Sequence, residues 1–179
     1  SAVLTELQSR LRPALVVHSA EALLPAEQID ELVRPFLGGD DPVFGFLCGL
    51  TLPQFFDPRQ VTLLQQRIGA VDAGVVLVVG CGATHIDPGD VLVGADLARW
   101  EAQLRFRRNE SSNLGANNRA LRASLKYKRA YFVDWRVADR WKRPLIAKWD
   151  FVLDTHDSQA PKLVSGEAVR RGLAHATTR

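Results

Sequence analysis

Cysteine is scarce in this sequence, and long apolar runs are absent. Only Cys48 and Cys81 occur among 179 residues, and their spacing fits neither a zinc site nor a disulfide framework. Reduced, mostly buried thiols are the expectation. Metals that need dense His/Cys ligation are not expected in this chain. No apolar run approaches the ~20 residues that cross a bilayer, so no membrane partner is expected. The first residues lack the basic start and apolar core of a secretory signal, and a cytoplasmic location is expected. There is no internal repeat and no low-complexity tract.

What is present is ordinary in bulk and uneven in detail. Hydrophobic residues make up 46% and charged residues 24%, as in soluble globular proteins. The length suits one α/β domain, with a helical and irregular part over 1–70 and a parallel-sheet core over 74–176. The net charge of +3 hides a polarity along the chain. Residues 1–98 hold 12 acidic and 5 basic side chains, whereas residues 99–148 hold 14 basic and 4 acidic. A basic middle segment concentrates anions such as phosphates; the alternative is a solvated helix face.

The chain is organised around residues 128–155. Ala130, Tyr131, Phe132 and Val133 read as a buried strand that ends at Asp134 and Trp135. A basic helix follows, with Arg136, Arg140 and Arg143 at i, i+4 and i+7. Residues 150–154 (DFVLD) read as a second strand. Strand, helix and strand within roughly 28 residues is the length of a βαβ crossover in a parallel sheet. Asp134 and Asp154 would then lie at its carboxyl edge, where open α/β sheets bind ligands. The fold expected is a three-layer, mostly parallel sheet with helices on both faces.

Elsewhere, leucines at 4, 7 and 11 predict a helix ended by Pro13, and 15–17 a short strand. Ser19 is a candidate cap. A helix over 26–34 buries Ile29 and Leu32/Val33 and is kinked by Pro35. Phe44, Phe46, Phe55 and Phe56 lie in an irregular stretch and read as satellite core. Asp57-Pro58 opens a helix to about residue 68. Residues 74–81 (GVVLVVGC) are the best single strand, expected to be buried on both faces. A strand at 91–93 and a helix over 96–108 come next. The polar loop 109–118 is expected to be mobile. A short helix over 119–126, a loop with Pro161, and a last helix opened by Ser165 and Gly166 complete the reading.

Chemistry has few candidates. Gly80-Cys81-Gly82 at the end of a strand is either an anion nest of backbone amides or a tight turn. A P-loop counted from Gly80 would place a glycine at His85, a lysine at Ile86 and a hydroxyl at Asp87, so the groups that hold phosphate and magnesium are missing. His85 reads as a loop histidine ahead of a catalytic base. The arginine helix either closes on phosphates through bidentate hydrogen bonds or pairs with Asp139 at the surface. The candidate phosphate-binding residues are Gly80, Gly82, Lys128, Arg136, Arg140 and Arg143. Asp134 is the candidate catalytic base, or else a helix cap. Trp135, Trp141 and Trp149 read as packing residues, with Trp149 covering the sheet. Nucleic acid ranks last among partners, because no aromatic stacking platform is evident.

Gly-Cys-Gly-Ala at 80–83, Asp-Leu-Ala-Arg-Trp-Glu at 96–101, Asn-Leu-Gly at 113–115 and Tyr-Lys-Arg-Ala-Tyr-Phe-Val-Asp-Trp at 127–135 together form a pattern. It resembles the N-terminal region of bacterial class I mannose-6-phosphate isomerases and isomerase-like proteins, over about 36–173. The resemblance implies a downstream cupin-like barrel that would carry isomerase activity and zinc, and that lies outside this sequence. It also implies an order of elements similar to nucleoside and uridine kinases of the P-loop class, with 75–80 as the phosphate-loop strand and 136–143 as the arginine helix. The missing lysine and hydroxyl leave a degenerate form of that fold.

Three functions follow as expectations. The first is a kinase-like domain of carbohydrate metabolism that binds a phosphorylated sugar or nucleotide. The second is a small-molecule kinase using Mg-nucleotide, with Asp134 as base. The third is a structural module that packs on a second copy or on the downstream barrel.

Overall fold

The computed structural model describes residues 2–157 and 159–178. Helices are labelled α1–α8 and strands β1–β5 in chain order. Helix α1 (Ala2–Leu11) stops before Pro13, and β1 (Leu15–His18) follows. Helix α2 (Ala26–Val33) buries Ile29 and Val33 fully, and Pro35 turns its end into a 3₁₀ turn. Helix α3 (Pro58–Gly69) has the expected cap, with the Asp57 carboxylate accepting from the Arg59 amide at 2.9 Å. Ser19 does not cap. Its hydroxyl donates instead to the carbonyl of Cys81, 2.8 Å away.

The strands fall into two small sheets where one larger parallel sheet was expected. β1 pairs in parallel with β2 (Val76–Val79), Leu15 opposite Val76 and His18 opposite Val79. With a single neighbouring strand, β2 is only half-buried along its length, and the expected burial on both faces is not reached. The second sheet runs β3-β4-β5: β3 (Val93–Asp96) is parallel to β4 (Phe151–Asp154), and β4 is antiparallel to β5 (Lys162–Ser165). β5 lies where a plain loop was read, and β3 starts two residues later than predicted. Trp149 covers this sheet at Gly94, where a Cβ would sit 2.4 Å from the indole. Helix α8 (Gly166–Thr177) is capped by Ser165, whose Oγ accepts from the Ala168 amide.

The largest departure is at 130–134. Ala130–Asp134 is a π-helical turn that joins α6 (Ala123–Arg129) to α7 (Trp135–Leu145). No strand precedes the arginine helix, and no βαβ crossover exists over 128–155. Three β-favouring residues, Tyr131, Phe132 and Val133, are overruled by helix on both sides, and by burial of Ala130, Val133 and Val137 at helical spacing. Val133 and Val137 join a core supplied mainly by residues 17–64 and completed by Ile86. The hydrophobic centre therefore belongs to the N-terminal part, which also contributes β1 to the sheet containing β2. Helix α5 (Arg99–Arg107) packs on α6.

Candidate functional site

The long helix from α6 through α7 positions two groups of side chains, one inside the protein and one on its surface. Inside, Asp134 sits mid-helix, so neither a strand tip nor a helix cap describes it. Its Oδ2 accepts from the Asn113 side-chain amide at 2.6 Å and from the Leu114 backbone amide at 3.4 Å. Arg129 donates to Asp30 (2.7 Å) and to the Leu114 carbonyl (2.8 Å). Its Nε stands 3.6 Å from Asp134 Oδ1, too far for a hydrogen bond, and neither atom has another partner. Lys126 is fully buried and donates to Asn109 Oδ1 and to the Arg119 carbonyl. Asn113 also donates to the Lys126 carbonyl and exchanges hydrogen bonds with Asn118. The 109–118 loop, expected to be mobile, is thus pinned at its middle.

Burial raises the Asp134 carboxyl above its ordinary value, and Arg129 and Asn113 only partly offset this. Cys81 is exposed over the whole residue. Even so, desolvation of its sulfur and the nearby Asp134 charge push the thiol up to about 11. That leaves it protonated and a poor nucleophile at neutral pH.

The glycine turn is a packing device. Gly80 and Gly82 have φ of +118° and +82°, and added Cβ atoms would meet Ser19 Oγ at 2.4 Å and the Phe56 ring at 2.7 Å. His85 follows in α4 (Ala83–Ile86) and stands between the rings of Phe56 and Trp141, at 5.2 and 5.8 Å. The arginine helix is spent largely on structure. Arg140 donates to the carbonyls of Leu50 (2.8 Å) and Cys48, and Arg136 to that of Tyr131 (3.2 Å). Arg143 is exposed. Asp139 pairs with Arg99 of α5, and neither Arg136 nor Arg143 takes that place. The predicted phosphate ligands therefore do not converge on one point.

The surface group makes a cleft of about 680 Å³ that sequence reasoning did not locate. One wall is α6 with the π turn, through Ser124, Tyr127, Lys128, Tyr131 and Phe132. The others are α5, through Gln103, Phe106 and Arg107, and the loop at Pro42, Val43 and Phe44. The Asp41 carboxylate accepts from the amides of Val43 and Phe44, both at 2.7 Å, and Lys128 donates to the Asp41 carbonyl. Those two amides lower the Asp41 carboxyl. Lys128 is the one predicted phosphate ligand in the cleft. Tyr127 and Tyr131 stack with centroids 6.2 Å apart and planes at 26°. Tyr127 also meets Trp135 edge-on at 5.3 Å, and the Arg99 guanidinium covers Trp135 at 4.7 Å. An aromatic platform beside cations is therefore present, contrary to the reading from sequence. The signal available was the i, i+4, i+8 spacing of Tyr127, Tyr131 and Trp135, hidden by taking 130–133 as a strand.

Among the described residues, no group of three or more His, Cys, Asp or Glu side chains is arranged to hold a metal ion. No described helix is long and apolar enough to cross a membrane.

These elements define an α/β domain with two small sheets, a buried polar cluster beside its apolar core, and an aromatic cleft. Residues 1–178 match the family model described as Domain of unknown function (DUF8485), and the chain belongs to that family. Searches of curated proteins and of solved structures return no match.

Proposed function

We propose that this domain binds a phosphorylated small molecule in the cleft between α5, α6 and the 42–44 loop, and does not itself turn it over. One observation carries the reading: the lining contains two cations, Arg107 and Lys128, and no carboxylate. A concave site of a few hundred Å³ with that balance of charge suits a compact anion. The resemblance to kinase-like regions of mannose-6-phosphate isomerase-type proteins supports a phosphate-bearing ligand of carbohydrate metabolism, a sugar phosphate or a nucleotide. Turnover is not part of the proposal. Asp134, the base offered by the sequence, is enclosed and already engaged with Asn113 and Leu114. The lysine and hydroxyl that a phosphate loop needs after Gly80 are missing.

Thermal unfolding with and without mannose 6-phosphate, fructose 6-phosphate, ATP and Mg-ATP tests this. A ligand that binds only the folded state at 100 times its Kd adds about 2.7 kcal/mol, which raises Tm by several degrees. At least one of the four should do so, and Arg107→Ala should reduce the shift. No shift with any of them at millimolar concentration overturns the proposal.

A further inference from the structure

The walls of the cleft say which phosphorylated molecule suits it. We infer that the cleft takes a mononucleotide, with its base against the rings of Tyr127, Tyr131, Phe44 and Phe132 and its phosphate toward Arg107. This rests on the anion-binding reading above and goes further by choosing between its two ligand classes.

The first argument is what the walls offer. Rings dominate the lining, and Gln103 and Ser124 are its only uncharged side chains with hydrogen-bonding groups apart from the two tyrosine hydroxyls. A hexose phosphate brings several hydroxyls, and each one buried without a partner costs free energy. A nucleobase brings two flat π faces, which aromatic rings accept whatever the base.

The second argument is how the rings are held. Phe44 is 70% exposed, Tyr131 41% and Tyr127 37%. The backbone that carries them is held. The amides of Val43 and Phe44 donate to Asp41, Lys128 donates to the Asp41 carbonyl, and the Tyr127–Tyr131 stack lies along one helix face. Rings carried on a backbone already in place leave less ordering to be done when a ligand covers them.

The third argument concerns size. Arg107 makes no ion pair among the described residues and lies 5.8 Å from the Trp100 ring, whereas Lys128 is buried and engaged with the loop. One available guanidinium matches one phosphate. A nucleic-acid strand would need a track of cations along successive phosphates.

The experiment is calorimetric titration of the full chain with AMP, adenosine, mannose 6-phosphate, inorganic phosphate and a short adenine oligonucleotide. It is repeated on Tyr127→Leu/Tyr131→Leu and on Arg107→Ala. All three sites are exposed, and the unliganded melting temperature of each variant checks that it folds. AMP should bind more tightly than mannose 6-phosphate or phosphate. The tyrosine variant should weaken AMP by about tenfold or more, as expected for loss of base stacking. Arg107→Ala should weaken AMP and leave adenosine unchanged. Mannose 6-phosphate binding as well as AMP, or AMP binding unchanged in the tyrosine variant, overturns this inference while the anion-binding reading stands. Affinity that grows with oligonucleotide length replaces the mononucleotide with nucleic acid. Binding of none of these overturns both readings.

Discussion

Asn113 and Asp134, 21 residues apart in sequence, meet inside the protein, the amide Nδ2 donating to Oδ2 at 2.6 Å. The contact ties the middle of a polar loop to the middle of a helix. Around it, Lys126, Arg129, Asn113 and Asp134 are all buried. Charges in such surroundings are stabilising only when each finds partners, and the 109–118 loop supplies several of them. The loop and the helix therefore depend on each other: without the loop, the helix would bury Lys126 and Asp134 short of partners.

The first prediction concerns pH. Burial raises the folded-state carboxyl of Asp134 above its unfolded value of 3.8. Below 3.8 the carboxyl is protonated in both states and folding carries no penalty from it. As pH rises toward the folded value, the unfolded chain releases the proton first, and stability is lost across that interval. The stability of the native protein relative to Asp134→Asn should therefore fall as pH rises above about 4. Urea unfolding at a series of pH values measures it, and a difference independent of pH would contradict the assignment.

A second prediction separates structure from binding in the arginine helix. Arg140 holds the carbonyls of Cys48 and Leu50, so Arg140→Ala should lower stability by about 1–2 kcal/mol. Its affinity for any cleft ligand should match that of the native chain. Denaturant midpoints and calorimetry distinguish the two effects. A loss of affinity without a loss of stability would return Arg140 to the binding site.

The glycine turn gives the third. Gly82 has φ +82°, and a Cβ there would meet Phe56 at 2.7 Å and Leu52 at 3.1 Å, both core residues. Strain and overpacking act together, so Gly82→Ala should cost about 2–4 kcal/mol. Gly39→Ala meets nothing within 4 Å at a similar φ of +58° and isolates the backbone part. Thermal unfolding of both variants compares them. Equal losses would mean that the turn is not packed on the core.

Two of the helix caps, at Asp57 and Ser165, and the isolated apolar strands were legible in the sequence, because their causes are local, whereas Ser19 and Asp134 are drawn off by distant partners. Asp57-Pro58 and Ser165 mark helix starts by chemistry contained within a turn. The β-branched run 76–79 and the FVLD segment form strands wherever they land. Ala130–Val133 misled because its local preference for strand is real, and only contacts with residues far away in sequence reverse it. Asn113 looked like a loop residue because nothing in its neighbours reveals that Asp134 waits opposite. The cleft was illegible for the same reason. Its walls come from residues 42–44, 103–107 and 123–132, and their convergence depends on α5 packing against α6.

The π turn at Ala130–Asp134 has a consequence for the length of this helix. A π turn holds one residue more than a turn of the α-helix it interrupts, so the extra residue is taken up locally and the helix beyond keeps its facing. At about 100° per residue, Tyr127 and Tyr131 fall on one side of the helix and Val133 and Val137 on another, so the cleft and the core draw on different faces of one continuous element. Substitutions within the turn change a side chain. Deletion of one residue there should wind the stretch into regular helix, with Val137 still in the core and Arg140 still on its two carbonyls. The same deletion in the middle of α7 should turn everything after it by about 100°. At this one point, the helix has a residue to spare.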